Sequence, residues 1–291
     1  MSAALPLSVR LAESLARHTA MRTGGACDAF VVAHDVEGVA QVVADCRRVG
    51  WRMQMLGAGT RTVFRESPVV GVVLRLGGEL GKIVRGDGGR WEVGAAAPMP
   101  ALVHAAAGAG ARGLESRACV PGSLAASLLW DDGWDELVEA VFVLRRGSLA
   151  ETTLEDARRK RPIVLGARLV LPDDDPAAVA KRTAHTWDKQ LPVPCGSWYD
   201  KVGRKPVRSM LRASRLQMVR LRDVAIPDLA PELLVNLGGG SAADLALLHR
   251  SATERVARIQ GEELPSRIKW VGHAEDRWES DTEESASSQA G

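Results

Sequence analysis

The feature that most restricts the fold is a strand, helix, strand and glycine loop near the N-terminus. DAFVVAH (28–34) reads as a strand, and 36–49 places Val39, Val42, Val43 and Cys46 at helical spacing before Gly50 stops the run. Met53–Leu56 is a short apolar strand that leads straight into Gly57-Ala58-Gly59-Thr60-Arg61. The two glycines let backbone N–H groups approach a pyrophosphate, and Thr60 adds a hydroxyl. The same Gly-x-Gly is also ordinary turn chemistry. A Rossmann fold is disfavoured, because no GxGxxG opens a helix with an acid about 20 residues further on.

More strands are expected at 69–76, 81–85 and 91–97, then an Ala-rich helix from Pro100 to Ala109, then strands at 137–145 and 163–171. A second small-residue segment, Val120-Pro121-Gly122-Ser123-Leu124-Ala125-Ala126-Ser127, offers further backbone donors, so two loops could clamp one dinucleotide. LPDDDP (171–176) suits an inter-domain linker. Beyond a helix at 177–186, Gly238–Gly240 lead into a helix capped by Ser241, with Asp244 in its first turn. Residues 273–291 are acidic, Ser-rich and nearly free of aliphatics, which predicts a disordered tail.

Composition narrows the partners. With 291 residues, 46% of them apolar, the chain can bury more than one core. Lys plus Arg (38) nearly cancel Asp plus Glu (36), so neither nucleic acid nor an anionic membrane is an expected partner. The N-terminus shows no signal-peptide h-region and no membrane-length run, which predicts a cytoplasmic protein. Cys27, Cys46, Cys119 and Cys195 have no zinc-ligand spacing and read as reduced, mostly buried thiols, with no metal site expected.

Over roughly residues 15–272, HTAMRTGG (18–25), LGAGTR (56–61), VGAAAPMPAL (93–102), GLESRACVPGSLAAS (113–127), CGSWY (195–199) and LLVNLGGGSAADL (233–245) stand in an order that resembles the UDP-N-acetylenolpyruvoylglucosamine reductase (UDP-N-acetylmuramate dehydrogenase) family. His18-Thr19-Ala20-Met21-Arg22-Thr23-Gly24-Gly25 is similar to the family's HTxxRxGG, and LGAGTR (56–61) to its LGxGSN loop. VGAAAPMPAL (93–102) resembles the entry to the second lobe, and GLESRACVPGSLAAS (113–127) resembles GLExxxGIPGTVGGA. Cys195-Gly196-Ser197-Trp198-Tyr199 resembles CGSxF, and LLVNLGGGSAADL (233–245) resembles FIVNxGxATAxDV.

The resemblance implies an α+β fold: a two-lobed vanillyl-alcohol-oxidase (PCMH-type) FAD-binding domain over 1–172, with lobes of about 1–85 and 86–172. A linker and helix at 173–189 and a smaller α+β substrate-binding domain at 190–272 would follow. It implies non-covalent FAD held by Gly57, Ala58, Gly59, Thr60, Arg61, Pro121, Gly122, Ser123 and Ala126, with NADPH as hydride donor. A nucleotide sugar carrying an enolpyruvyl group is the implied substrate, in peptidoglycan synthesis. Ser197 is the implied proton donor, and Tyr199 and Arg267 are candidate substrate contacts; for Tyr199 two readings stand equally, a hydroxyl that reaches the flavin face and ordinary core packing.

The chain also departs from the family. TLEDARRKRPIVLG (153–166) lacks the Tyr-Arg pair of YRxS; its Arg158, Arg159 and Arg161 read as a solvated turn. LPSRIK (264–269) puts Arg267 where the family has a glutamate, and a guanidinium can hold a carboxylate but cannot act as an acid at neutral pH. Two of the three family catalytic residues are thus not found. GGA becomes Ala125-Ala126-Ser127, MNAGAYG becomes Trp130-Asp131-Asp132-Gly133-Trp134-Asp135, and Asp200 stands where a lysine would meet phosphate. Trp130, Trp134 and Trp198 fall within these site motifs, although a buried or interface Trp is the commoner outcome for so scattered a set. Two other functions stay open: a catalytically impaired paralogue serving as a binding or regulatory module, and a flavoenzyme with a different substrate.

Overall fold

A computed structural model describes residues 6–189 (backbone alone at 187–189), 195–200, 202–203 and 205–272. The acidic segment 273–291 lies outside the described residues.

The first lobe holds β1 (Leu7–Ser14), β2 (Ala26–Ala33), α1 (Val36–Val49), β3 (Met53–Met55), β4 (Thr62–Phe64) and β5 (Val69–Leu76). Helix α1 begins where Asp35 accepts a hydrogen bond from Gly38 N at 2.7 Å, and it ends on Gly50 at φ +69°. These are the acid cap and left-handed glycine that terminate helices. The sheet runs β1-β2-β5-β3, with β2, β5 and β3 parallel and β1 antiparallel at the edge. Val39, Val42, Val43 and Cys46 of α1 pack on Ala29, Val31, Val72 and Leu74, while Phe30 and Val73 on the other face meet Leu15, Leu56 and Phe64. Each such aliphatic side chain contributes about 1.5–3 kcal/mol by leaving water. Strand β1 was not anticipated, since most of its residues are exposed and charges interrupt its apolar pattern.

The second lobe contains β6 (Ile83–Arg85), β7 (Arg90–Gly94), α2 (Met99–Gly108), α3 (Leu124–Trp130), β8 (Val138–Arg145), β9 (Ser148–Thr152), α4 (Leu154–Lys160) and β10 (Val164–Val170). Its sheet order is β6-β7-β10-β8-β9, antiparallel throughout. Strand 83–85 therefore belongs to this second sheet and not to the first lobe. Residues 171–176 are also not a free tether. Arg112 N donates to Pro172 O, Asp174 N to Gly110 O, and Asp173 and Asp174 pair with Arg85 and Arg182 at 2.8 and 2.7 Å. Helix α5 (Pro176–Lys189) follows, tied to the same lobe by Arg182 and Glu115 at 3.0 Å.

The third unit comprises α6 (Val207–Ala213), a small antiparallel sheet of β11 (Arg220–Leu221), β12 (Val224–Ala225) and β13 (Val235–Asn236), and α7 (Ala242–Gln260). Ser241 and Asp244 form a reciprocal capping box at the start of α7. The chain then returns to the first lobe, where β14 (Lys269–Val271) pairs in parallel with β4. That return delivers Arg267 to the loop that precedes β4. No described helix is long and apolar enough to cross a membrane.

Candidate active site

The glycine loop and the second small-residue loop lie against each other. A Cβ on Gly57 would stand 3.2 Å from Ser123 Oγ, and one on Gly122 (φ +124°) would stand 3.5 Å from Thr60 Oγ1. The second loop is fixed from behind by Met99 N donating to Gly122 O at 3.0 Å and Leu124 N to Ala97 O at 2.9 Å. This leaves the N–H groups of Gly57, Ala58, Gly59, Thr60, Gly122 and Ser123 with no protein acceptor among the described residues. Unpaired amides from two touching loops form a cradle for an anion. At Gly59 the backbone demands glycine for a further reason. Its φ is +69° and the space a side chain would need is filled by the His18 carbonyl, so protein packing also demands glycine there.

Two recesses stand out, the second of them lined in part by Arg61, Val120 and Pro121 of the two cradle loops. The first, of about 350 Å³, is lined by His18, Phe30, Val32, Leu76 and Ala96, with Arg10 and Arg75. The His18 ring stacks on Phe30 at 4.0 Å, and its Nε2 meets Glu13 Oε1 at 2.9 Å. The second is a cleft of about 650 Å³ between the lobes and the third unit. Arg61, Arg117, Val120, Pro121, Asp131, Gly196, Ser197, Arg208, Arg212, Glu232 and Arg267 line it, with Cys119 and Cys195. Five arginines against two acids make it strongly cationic.

At its inner end Asp131 Oδ1 accepts hydrogen bonds from Arg61 at 2.9 Å and Arg267 at 2.8 Å, and Oδ2 accepts from Ser127 Oγ at 2.8 Å. Ser127 Oγ in turn accepts from the buried Trp134 Nε1 at 3.2 Å. Arg267 also donates to the Trp130 carbonyl. Burial opposes ionisation of Asp131, but the Arg61 charge, the Ser127 and Arg61 hydrogen bonds and the Arg267 charge outweigh it. Its carboxyl is held below the usual carboxylate range. Arg117 lies over the Trp134 ring at 4.3 Å and donates to Asp132 O and Gly133 O at 2.7 and 2.8 Å.

Ser197 and Arg267 are neighbours because residues 198–200 pair with 265–267: Arg267 N donates to Trp198 O at 3.0 Å and Asp200 N to Pro265 O at 2.8 Å. Ser197 Oγ donates to Tyr199 O at 2.8 Å and accepts from Tyr199 N at 3.3 Å, holding the half-buried hydroxyl at the cleft wall. Gly196 N donates to Thr60 O at 3.3 Å, which joins this segment to the cradle loop.

Several expectations change. Tyr199 does not face the cleft: it is 2% exposed, stacked on His249 at 5.1 Å, and its hydroxyl finds no partner among the described residues. Burial pushes its phenol up and the His249 imidazole down to about 4. Trp134 and Trp198 are fully buried, whereas Trp130 is 53% exposed beneath the Arg161 guanidinium at 4.0 Å. Arg158 is only partly exposed; it donates to Leu128 O at 2.9 Å and Asp131 O at 2.7 Å, pinning the 128–135 segment. Ala126 is half-buried on α3 and Pro121 lines the cleft. Asp131, Arg117, Arg208 and Arg212 were not singled out as site residues from sequence. A signal for Asp131 did exist, since a cation at 267 calls for a counter-charge and the altered 130–135 segment supplies acids.

Comparison with known proteins places this geometry. Residues 27–131 match the FAD binding domain family. UDP-N-acetylenolpyruvoylglucosamine reductase 2 of Symbiobacterium thermophilum is 27% identical over 92% of this chain and 94% of its own length. The reductase of Anaeromyxobacter sp. (strain Fw109-5) is 30% identical over 90% of this chain and 89% of its own. The crystal structure of UDP-N-acetylenolpyruvylglucosamine reductase from Thermus caldophilus aligns with a TM-score of 0.74 at 22% identity, covering 90% of this chain and 98% of that one, which shows a shared fold. The extent and level of these matches mean that the chain belongs to the UDP-N-acetylenolpyruvoylglucosamine reductase family.

Proposed function

We propose that this protein is an FAD-dependent, NADPH-consuming reductase of UDP-N-acetylglucosamine enolpyruvate, with Ser197 as proton donor and Arg267 in place of the family's acid. The observation that carries the reading is a half-buried serine beside a paired arginine, in a cationic cleft that abuts a cradle of unpaired amides. The residues present fit the cofactor. The cradle offers donors to a pyrophosphate, the recess at His18 and Phe30 offers an aromatic floor to an adenine, and the cleft wall at Val120 and Pro121 lies on the other side.

When bound, FAD supplies hydride transfer from NADPH to the enolpyruvyl double bond. The chain's own residues do the rest. The Ser197 hydroxyl, turned from the Tyr199 carbonyl, gives a proton to the adjacent carbon. Arg61 and Arg267 stabilise the enolic charge that hydride addition leaves on the substrate and, once the proton has been given and that charge is quenched, the alkoxide left on Ser197. Arg267 is also a suitable holder of the substrate carboxylate, since it lines the cleft and both its hydrogen bonds leave from one terminal nitrogen. Arg212 is exposed and offers a cation to a diphosphate, while Arg208 beside it is paired with Glu232.

Purified protein tested for yellow colour and for NADPH oxidation with this substrate decides the reading. A colourless protein that oxidises no NADPH defeats it. The charge reversal at Arg267 favours a second reading, a flavin-bearing module without turnover; growth of a reductase-deficient bacterium on this gene alone removes that one.

A further inference from the structure

Asp131 lies outside the two loops read as ligand-binding, yet it ties together three distant segments at the inner end of the cleft. Its Oδ1 takes Arg61 and Arg267, 70 and 136 residues away, and its own carbonyl takes Arg158 at 2.7 Å. The carboxylate cannot swing out, because Oδ2 is held by Ser127 and Ser127 by the fully buried Trp134. Two guanidiniums on one carboxylate oxygen leave one net positive charge, and without that carboxylate they would repel each other. The path of Arg61 to this point is set as well. A Cβ on Gly196 would stand only 2.6 Å from Arg61 Nε, so the arginine runs directly over the residue before Ser197.

We propose that Asp131 is the positioning residue of this cleft, holding Arg61 and Arg267 as a fixed pair that receives the carboxylate of an enolpyruvyl substrate beside Ser197. This rests on the cleft being the substrate site. Asp131 acts through the two arginines and transfers no proton.

A signature follows that a merely structural residue would not give. Asp131→Asn keeps size and an acceptor oxygen but removes the charge that neutralises one arginine. The cleft then attracts a carboxylate at least as well, but it no longer fixes that carboxylate relative to Ser197. Misplacement of this kind costs about 100-fold in rate, so kcat falls about 100-fold while KM for the enolpyruvyl substrate does not rise. Asp131→Glu, which restores the charge, recovers part of kcat. Gly196→Ala alters no charge but pushes Arg61 aside, and it gives the same division between kcat and KM.

The experiment is steady-state kinetics on the flavin-loaded wild type and these three variants, with UDP-N-acetylglucosamine enolpyruvate and NADPH. The inference is overturned if Asp131→Asn keeps kcat within about threefold of wild type, or if KM rises while kcat holds. Should Asp131→Asn lose its flavin or its fold, Gly196→Ala decides by the same criteria. A wild type with no turnover removes the proposed function and this inference together; an active wild type with indifferent variants removes this inference alone.

Discussion

Ser197→Ala removes one hydroxyl and leaves the surrounding backbone in place. That hydroxyl makes two local hydrogen bonds, to Tyr199 O at 2.8 Å and from Tyr199 N at 3.3 Å. The second is long, so the loss of stability is about 1 kcal/mol, a fall in melting temperature of about 2–4 °C for a domain of 150–250 residues. A positioned general acid contributes about 10²–10⁴ in rate, which is about 3–5 kcal/mol of barrier at 1.36 kcal/mol per decade. The activity loss therefore exceeds what destabilisation produces, and the two effects separate in one preparation. In stopped-flow experiments NADPH should reduce the variant's flavin at the wild-type rate, while reoxidation by the enolpyruvyl substrate slows at least about 100-fold. Flavin content should be unchanged, because the unpaired amides lie at Gly57–Thr60 and Gly122–Ser123. Reoxidation within about threefold of wild type would refute the assignment of Ser197.

Three further outcomes are expected. Gly57→Leu places a branched side chain at the exposed edge of the cradle, 3.2 Å from Ser123 Oγ at its Cβ, and should purify with little flavin while keeping its secondary structure; full flavin content would show that the cradle is elsewhere. Arg158→Ala removes charge-assisted hydrogen bonds to the Leu128 and Asp131 carbonyls, and should lower stability by about 1.5–3 kcal/mol per bond in urea titration, whereas a solvated arginine would cost almost nothing. His249 has its imidazole lowered to about 4 by burial, so the unfolded chain binds the extra proton first. Its contribution to stability is complete above the ordinary value near 6.5 and is lost as pH falls toward 4, by on the order of 3 kcal/mol. A His249→Phe variant whose urea midpoint shows the same acid loss across that window would contradict this.

Much of the frame was legible because its signals are local. Helix α1 announces itself through Asp35, the spacing of Val39, Val42, Val43 and Cys46, and Gly50; α7 does so through Ser241 and Asp244. The two small-residue loops were equally visible, but their contact was not, since it depends on how one lobe docks on the other. The same holds for Asp131 and Arg267, which are 136 residues apart and meet only because β14 returns to β4. Arg158 was readable in hindsight. It lies four residues after Leu154, on the face that also buries Ala157, and that spacing turns it inward. Tyr199 misled for the opposite reason. It shares a motif with Ser197, but packing against His249 of α7 fixes its direction, and no neighbour in sequence reports that.

The most direct test is an anaerobic visible spectrum of the purified protein, followed through two additions. The protein should show the two absorption bands of oxidised flavin at the start, bleach on adding NADPH, and regain both bands on adding UDP-N-acetylglucosamine enolpyruvate. A protein with no visible bands, or one whose bleached flavin stays bleached in the presence of that substrate, contradicts the proposed function.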